Sequence, residues 1–176
     1  MANTIFFCEM ANLYAGDADP TDSKYLAIEE VKLPDLQGIF ADHNPGGSPV
    51  AINVQVGVEK LEPTFKLKGF DPALLAQFGY GSSRRERFTI YAVMRDLRTG
   101  EAQEGKALIE GRLGRIAPDA WKRGEMASQD YAIHEVVHYE VFFGGQEILY
   151  WDFFTTEWRT NGQVQNSRER AILRLP

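Results

Sequence analysis

The sequence has one cysteine, Cys8, in 176 residues, so no intrachain disulfide can brace the fold. Its setting, "IFFCEM", reads as a small core residue with no base beside it to make it a nucleophile. Long apolar runs are also missing, and nothing approaches the ~20 residues a membrane helix needs. "MANTIFFCEM" has no basic leading region and only a short apolar stretch, so we expect no secretion signal, no membrane anchor and synthesis in a cytoplasm. Positive charge is in deficit. Nineteen Lys and Arg stand against 25 Asp and Glu, a net charge of −6. That balance argues against a protein held to nucleic acid by phosphate contacts. There is no Gly-x-Ser-x-Gly elbow. The glycine-rich "FGYGSS" follows an expected helix, whereas a phosphate loop follows a strand and opens one.

What remains is an ordinary soluble composition, and the length suits one domain over 1–176 with a genuine core. "MANLYAG" reads as a short strand before the turn "GDADP", and "KYLAIEEVKLPDL" (24–36) is an extended run in which Pro34 bars a central strand. "VAINVQVGV" places Val50, Ile52, Val54, Val56 and Val58 on one side, a strong strand signal. "EPTFKLKGF" reads as the next strand. "DPALLAQFG" (71–79) is the one expected helix. Asp71 is its N-cap, Pro72 its first residue, and Gly79 or Gly81 its end. Two long hairpins follow. "RRERFTIYAVMRDL" turns at "RTGE" into "KALIEGRLGRIA", and "YAIHEVVHYEVFF" turns at "GGQE" into "ILYWDFFTTEWRT". Residues 118–130 form a polar loop anchored by Trp121, and 160–176 a C-terminal extension. The predicted fold is mainly β: a two-sheet antiparallel sandwich or partly open barrel with one short flanking helix and long loops.

Chemistry is thinly represented. His134 and His138 would share a helix face, but on a strand they lie roughly 13 Å apart, too far for one ion. Two half-buried hydrogen-bonding rings are expected instead, and His43 is a surface imidazole. Glu29 and Glu30 point to opposite sides of a strand. No catalytic, metal or cofactor residues emerge, and no enzyme activity is expected. Arginines cluster at "RRER" (84–87) and "SRERAILR" (167–174), where salt bridging at strand starts is the reading preferred over polyanion contact. Aromatics on both faces of "ILYWDFFTTEW" suggest burial on both sides, in a sandwich or under a neighbouring subunit.

"HNPGGSP" (43–49) is unsuited to a helix or a central strand. The block order "VKLPDL", this loop, "GGSPVAINVQVGVEKLEPTFKLKGFDPALLAQFG", "YAVMRDLRTGEAQEGKALIEGRLGRI", "VVHYEVFFGGQEILYWDFFTTEWRTNG" and the basic "QNSRERAILRL" resembles the major tail tube protein of contractile-tailed, P2-like bacteriophages. The resemblance spans nearly the whole chain. It implies hexameric rings stacked into a hollow helical tube in the virion, assembled in the bacterial cytoplasm. The implied partners are the tail sheath, the baseplate or tail tip, the tail terminator, a tape measure protein inside the tube and double-stranded DNA in transit. A phage-derived bacteriocin would use the same tube to puncture an envelope.

By the same resemblance, residues 39–52 are an arm reaching the adjacent ring, carrying Phe40, His43, Asn44, Pro45, Gly46, Gly47, Ser48 and Pro49. The loop 118–130, with Asp119, Trp121, Lys122 and Arg123, is a second inter-ring contact. Strand alternation offers Glu59, Glu62, Glu110 and Arg112 as bore-lining candidates, and an acidic bore repels phosphates. The rival expectation is a monomeric barrel that binds a small apolar ligand, its mouth ringed by Trp151 and Trp158.

Overall fold

The longest strands, β7 (Ala102–Pro118) and β8 (Ser128–Phe143), form one antiparallel pair that belongs to two layers at once. The computed structural model describes residues 4–16, 22–79 and 84–175. The rest of the turn "GDADP" after Gly16, and Gly81, lie outside them.

In the first layer the order runs β1 (Phe6–Ala15), β6 (Glu86–Asp96), the first half of β7, the second half of β8, β9 (Gln146–Asp152), β10 (Glu157–Thr160) and β11 (Gln163–Val164). In the second, the first half of β8 (128–132) pairs with β5 (Thr64–Lys68), which pairs with β2 (Ile28–Lys32). The fold line falls where the β7–β8 register slips, between Glu110 and Arg112 and again between Leu113 and Arg115. Glycines permit it. A Cβ on Gly111 would lie 2.7 Å from Ile133 Cγ2, and one on Gly114 would lie 2.5 Å from the His134 ring. Opposite them Glu135 adopts a φ of 50°, the left-handed conformation of a bulged residue.

The core fills the space between the layers. Phe65 of β5 stacks on Tyr131 at 4.7 Å and meets Phe88 of β6 across the sandwich at 6.2 Å. Leu13, Ile109 and Ile133 are fully buried beside them. β7 buries Ala107, Ile109, Gly111 and Leu113, the alternate residues expected of a one-sided strand. The helix α1 (Pro72–Gln77) closes one side through Leu74. Asp71 caps it, accepting from the Ala73 and Leu74 N–H groups at 3.0 and 3.1 Å, while Lys24 pairs with the same carboxylate at 2.7 Å. Burial alone would raise the Asp71 pKa. Lys24 and the two N–H groups outweigh it, so the group titrates below the usual carboxylate range.

The mainly β, antiparallel prediction holds, and the sheet does not close into a barrel. Several elements differ in detail. The helix ends at Gln77 with Phe78 as its cap, ahead of Gly79. β7 extends through Pro118 and β8 begins at Ser128, so the loop between them is 119–127. "ILYWDFFTTEWRT" is two strands, because Asp152 accepts from the N–H and hydroxyl of Thr155 and turns the chain at 153–156. Its aromatics therefore do not share one strand. A second helix, α2 (Ser167–Ile172), lies in the C-terminal segment, and its Arg170 pairs with Glu157 at 2.9 Å.

Candidate assembly surfaces

The segment expected as an extended loop over 39–52 is largely strand. β3 (Gly38–His43) and β4 (Ile52–Val58) form a separate two-stranded sheet with a short tip between them. Ser48 shapes the tip. Its N–H donates to the Pro45 carbonyl, and its hydroxyl both donates to the Val50 carbonyl and accepts from the Val50 N–H. Gly46 and Gly47 have open space where a Cβ would stand. Phe40, His43, Asn44, Gly46, Gly47, Ser48 and Pro49 are exposed, and Pro45 is half-buried. The apolar face is exposed too: Ile52 by 54%, Val54 by 46% and Val56 by 63%. An isolated hairpin with bare β-branched residues is marginal in water and invites a partner.

The second loop is also uncovered. Asp119, Lys122 and Arg123 are exposed, and Lys122 pairs with Glu125 at 3.7 Å. Trp121 does not anchor this loop in a core. It is 74% exposed and packs edge-to-face with Phe70, at 5.7 Å between centroids. The Asp119 N–H donates to the Ser128 carbonyl and thereby fixes the loop's base.

The solvent face of the large sheet carries a row of charges in register. Arg87 lies opposite Glu110, Glu110 opposite His138, His138 opposite Asp152, and Asp152 opposite Glu157. His138 places Nδ1 3.0 Å from Asp152 Oδ2 and Nε2 2.9 Å from Glu140 Oε1. Burial would raise the Asp152 pKa. The hydrogen bonds from Thr155 and His138 reverse that and bring it below the usual range. Beside this row Arg159 lies 3.5 Å over the Tyr150 ring, makes two bonds to Glu147 and one to Glu157. Lys106, Arg112 and Arg170 lie on or against the same face, so carboxylates and cations are interleaved there and held to one another by ion pairs.

Of the four bore-lining candidates, Glu110 belongs to this row, and Arg112 follows it on β7 and pairs with Glu135 at 3.2 Å. Glu59 and Glu62 lie elsewhere, in the connection from β4 to β5, where Glu62 pairs with Lys60 at 2.7 Å and approaches His134 at 3.7 Å. Both His134 and His138 are half-buried as expected; His138 is bonded through both ring nitrogens, whereas His134 lies 3.7 Å from Glu62, too far for a hydrogen bond. The partners of His138 and their neighbours, Glu140, Asp152, Glu157 and Arg159, were missed, because cross-strand register brings them together and spacing along the chain does not. The arginine clusters are paired: Arg84 with Glu86, Arg85 with Glu135. Among the described residues the nine-stranded sheet ends in β1 and β11 on its main path and in β2 on its branch, and β1 is bridged at Tyr14 to Ser23.

An open-edged sheet, a charged face and a bare hairpin are features of a subunit in a larger wall. A family model described as phage tail tube protein FII matches residues 20–173. The chain belongs to this family. It is thus a structural component of a phage-like contractile tail, as the order of sequence blocks implied. Solved structures share the fold. The chain matches one from a cryo-EM study of an extracellular contractile injection system, the PVC sheath-tube complex in its extended state, with a TM-score of 0.53 and 9% identity. That match covers 76% of this chain and 87% of the other. A second, the PVC sheath/tube terminator in its extended state, gives 0.51 and 12%, covering 77% and 93%. No curated protein sequence matches this chain. Among the described residues no helix is long and apolar enough to cross a membrane.

Proposed function

We propose that this tail tube protein forms hexameric rings that stack into the hollow inner tube of a contractile tail, and that it has no catalytic role. The observation that carries the reading is the β3–β4 hairpin, whose apolar face is exposed in the single chain. A family of tube proteins supplies its natural cover, another copy of the same chain. Lateral closure follows from the open edges. A heterologous contact repeated by rotation makes a ring, and repeated along an axis it makes a tube.

In this reading the hairpin, with Phe40, His43 and the tip Asn44–Pro49, is the inter-ring arm, and the loop bearing Asp119, Trp121, Lys122 and Arg123 is a second contact. The charged face of the large sheet lines the bore, and the net charge of −6 per chain makes the ring acidic. Glu110 and Arg112 remain bore candidates there, and Glu59 and Glu62 move to the ring-to-ring side. Like charge between wall and phosphates lets DNA pass without sticking. The solved relatives come from a sheath-tube complex and a sheath/tube terminator, which supports a sheath and a terminator as partners. A baseplate or tail tip and a tape measure protein complete the assembly. The particle is a virion tail or a related injection device, built in the bacterial cytoplasm.

Negative-stain electron microscopy of the concentrated protein, together with its solution mass, tests this. Six-fold rings or hollow tubes support it. A strict monomer that gains thermal stability from a small apolar ligand returns the protein to the ligand-binding alternative.

A further inference from the structure

The second layer is shorter than the first. β2 and β5 have five residues each, while β6 has eleven and β7 seventeen. The inner face of the large sheet therefore runs on past the layer that should cover it. The uncovered part is a groove of about 890 Å³ between β2 and the β1–β6–β7–β8 sheet. Glu9, Glu29, Glu30 and Lys106 form part of its walls, and Cys8, expected in the core but exposed, stands at its β1 side; its apolar lining is Ala11, Ala92, Met94, Ala107, Val141 and Phe143. These are the same alternating positions that bury Ile90 and Ile109 deeper in the core. The groove is thus sandwich interior without its second sheet.

The chain also carries a small sheet without a sandwich. β3–β4 presents Ile52, Val54 and Val56 on one face, with Ala41 and His43 as the cross-strand neighbours of Val54 and Ile52. The hairpin leaves its own groove empty, since these side chains are exposed. Each feature lacks what the other supplies. The groove misses two strands with β-branched inward residues, and the hairpin is two such strands.

We propose that the groove is the receptor for the β3–β4 hairpin of a second copy of this chain, which completes the short layer of the sandwich. This rests on the reading of the hairpin as an inter-ring arm and names what the arm enters. Hairpin and groove lie on different parts of one chain, so the contact is heterologous and repeats from copy to copy, closing as a ring or extending along an axis.

The native thiol makes the contact testable, because Cys8 lines the groove and is the single cysteine of the chain. Val54→Cys and Val56→Cys are each assembled as full-length protein and oxidised with diamide, which accepts the two hydrogens lost as two thiols become a disulfide. Asn53→Cys, on the opposite face of β4, is the control. We expect covalent multimers from at least one inward position at about tenfold or more over the control, since a disulfide needs Cβ atoms within ~4.5 Å. Cys8→Ser abolishes them. A second variant, Ala92→Trp, fills the groove. Its monomer keeps the wild-type circular dichroism spectrum and its assembly is lost; if it misfolds, the cross-link decides alone.

Assembled particles with no inward cross-link overturn the groove but leave the tube reading intact. So does a cross-link that runs at monomer mass, which means the hairpin folds onto its own chain. Wild-type protein that never assembles removes the arm reading itself.

Discussion

β4 and β5 follow each other along the chain, both alternate apolar residues with others, and both pair antiparallel. β5 buries Phe65 and Leu67 to within a few per cent of zero exposure, while β4 leaves Ile52, Val54, Val56 and Val58 bare. The difference lies in what stands opposite. β5 lies between β2 and β8 and faces β6 across the core; β4 has only β3. A period-two apolar pattern encodes a strand with one dry face. It does not encode which molecule dries it.

That contrast predicts a graded series of effects on the monomer. Phe65→Ala empties the centre of the sandwich and is expected to cost about 3–5 kcal/mol in urea unfolding. Gly114→Ala, at the fold line, drives a methyl into the His134 ring and is expected to cost about 1–3 kcal/mol. Removing the helix cap with Asp71→Ala is expected to cost about 1 kcal/mol at neutral pH. This contribution has a pH signature. The Asp71 pKa is lower folded than unfolded, so its stabilisation is complete above the ordinary carboxylate range and is lost as pH falls through the folded value. The gap in melting temperature between wild type and variant should therefore shrink on acidification below about pH 4.

The smallest effect is expected from the hairpin. Val54→Lys combined with Val56→Lys should change monomer stability by no more than about 0.5 kcal/mol. Rings or tubes seen by electron microscopy should nevertheless disappear. Deleting 43–48 should likewise spare the fold and stop stacking. If the lysine pair cost the monomer as much as Phe65→Ala, the contrast between the two strands would collapse.

The sequence revealed the elements whose signals are local. Asp71-Pro72 marked a helix start, and the alternation of Phe88, Ile90, Ala107 and Ile109 marked two strands and their inner faces. Less was legible where one residue type stood in for another. The turn at 153–156 contains Phe153 and Phe154 and no glycine or proline, and its signal was the Asp152–Thr155 bond. The second helix begins at Asn166, which does not cap it. The Asn166 side chain accepts from the Trp158 N–H and donates to the Thr156 carbonyl instead. On the large sheet, parity along β7 put Glu110 and Arg112 on the face opposite the buried Ile109, Gly111 and Leu113. Their neighbours on β8 depend on two register slips, which come from packing at Gly111 and Gly114 and leave no periodic trace.

The pairing of β1 with β6 sets an order of events during synthesis. Phe6 lies opposite Asp96, and Ala15 opposite Phe88. β1 is therefore synthesised some eighty residues ahead of its partner, while β6 through β9 close as successive hairpins. β1 also supplies one wall of the groove. On the proposed reading of groove and hairpin, the receptor is unfinished until the central hairpins are in place, and chain order alone would defer assembly until a subunit is complete.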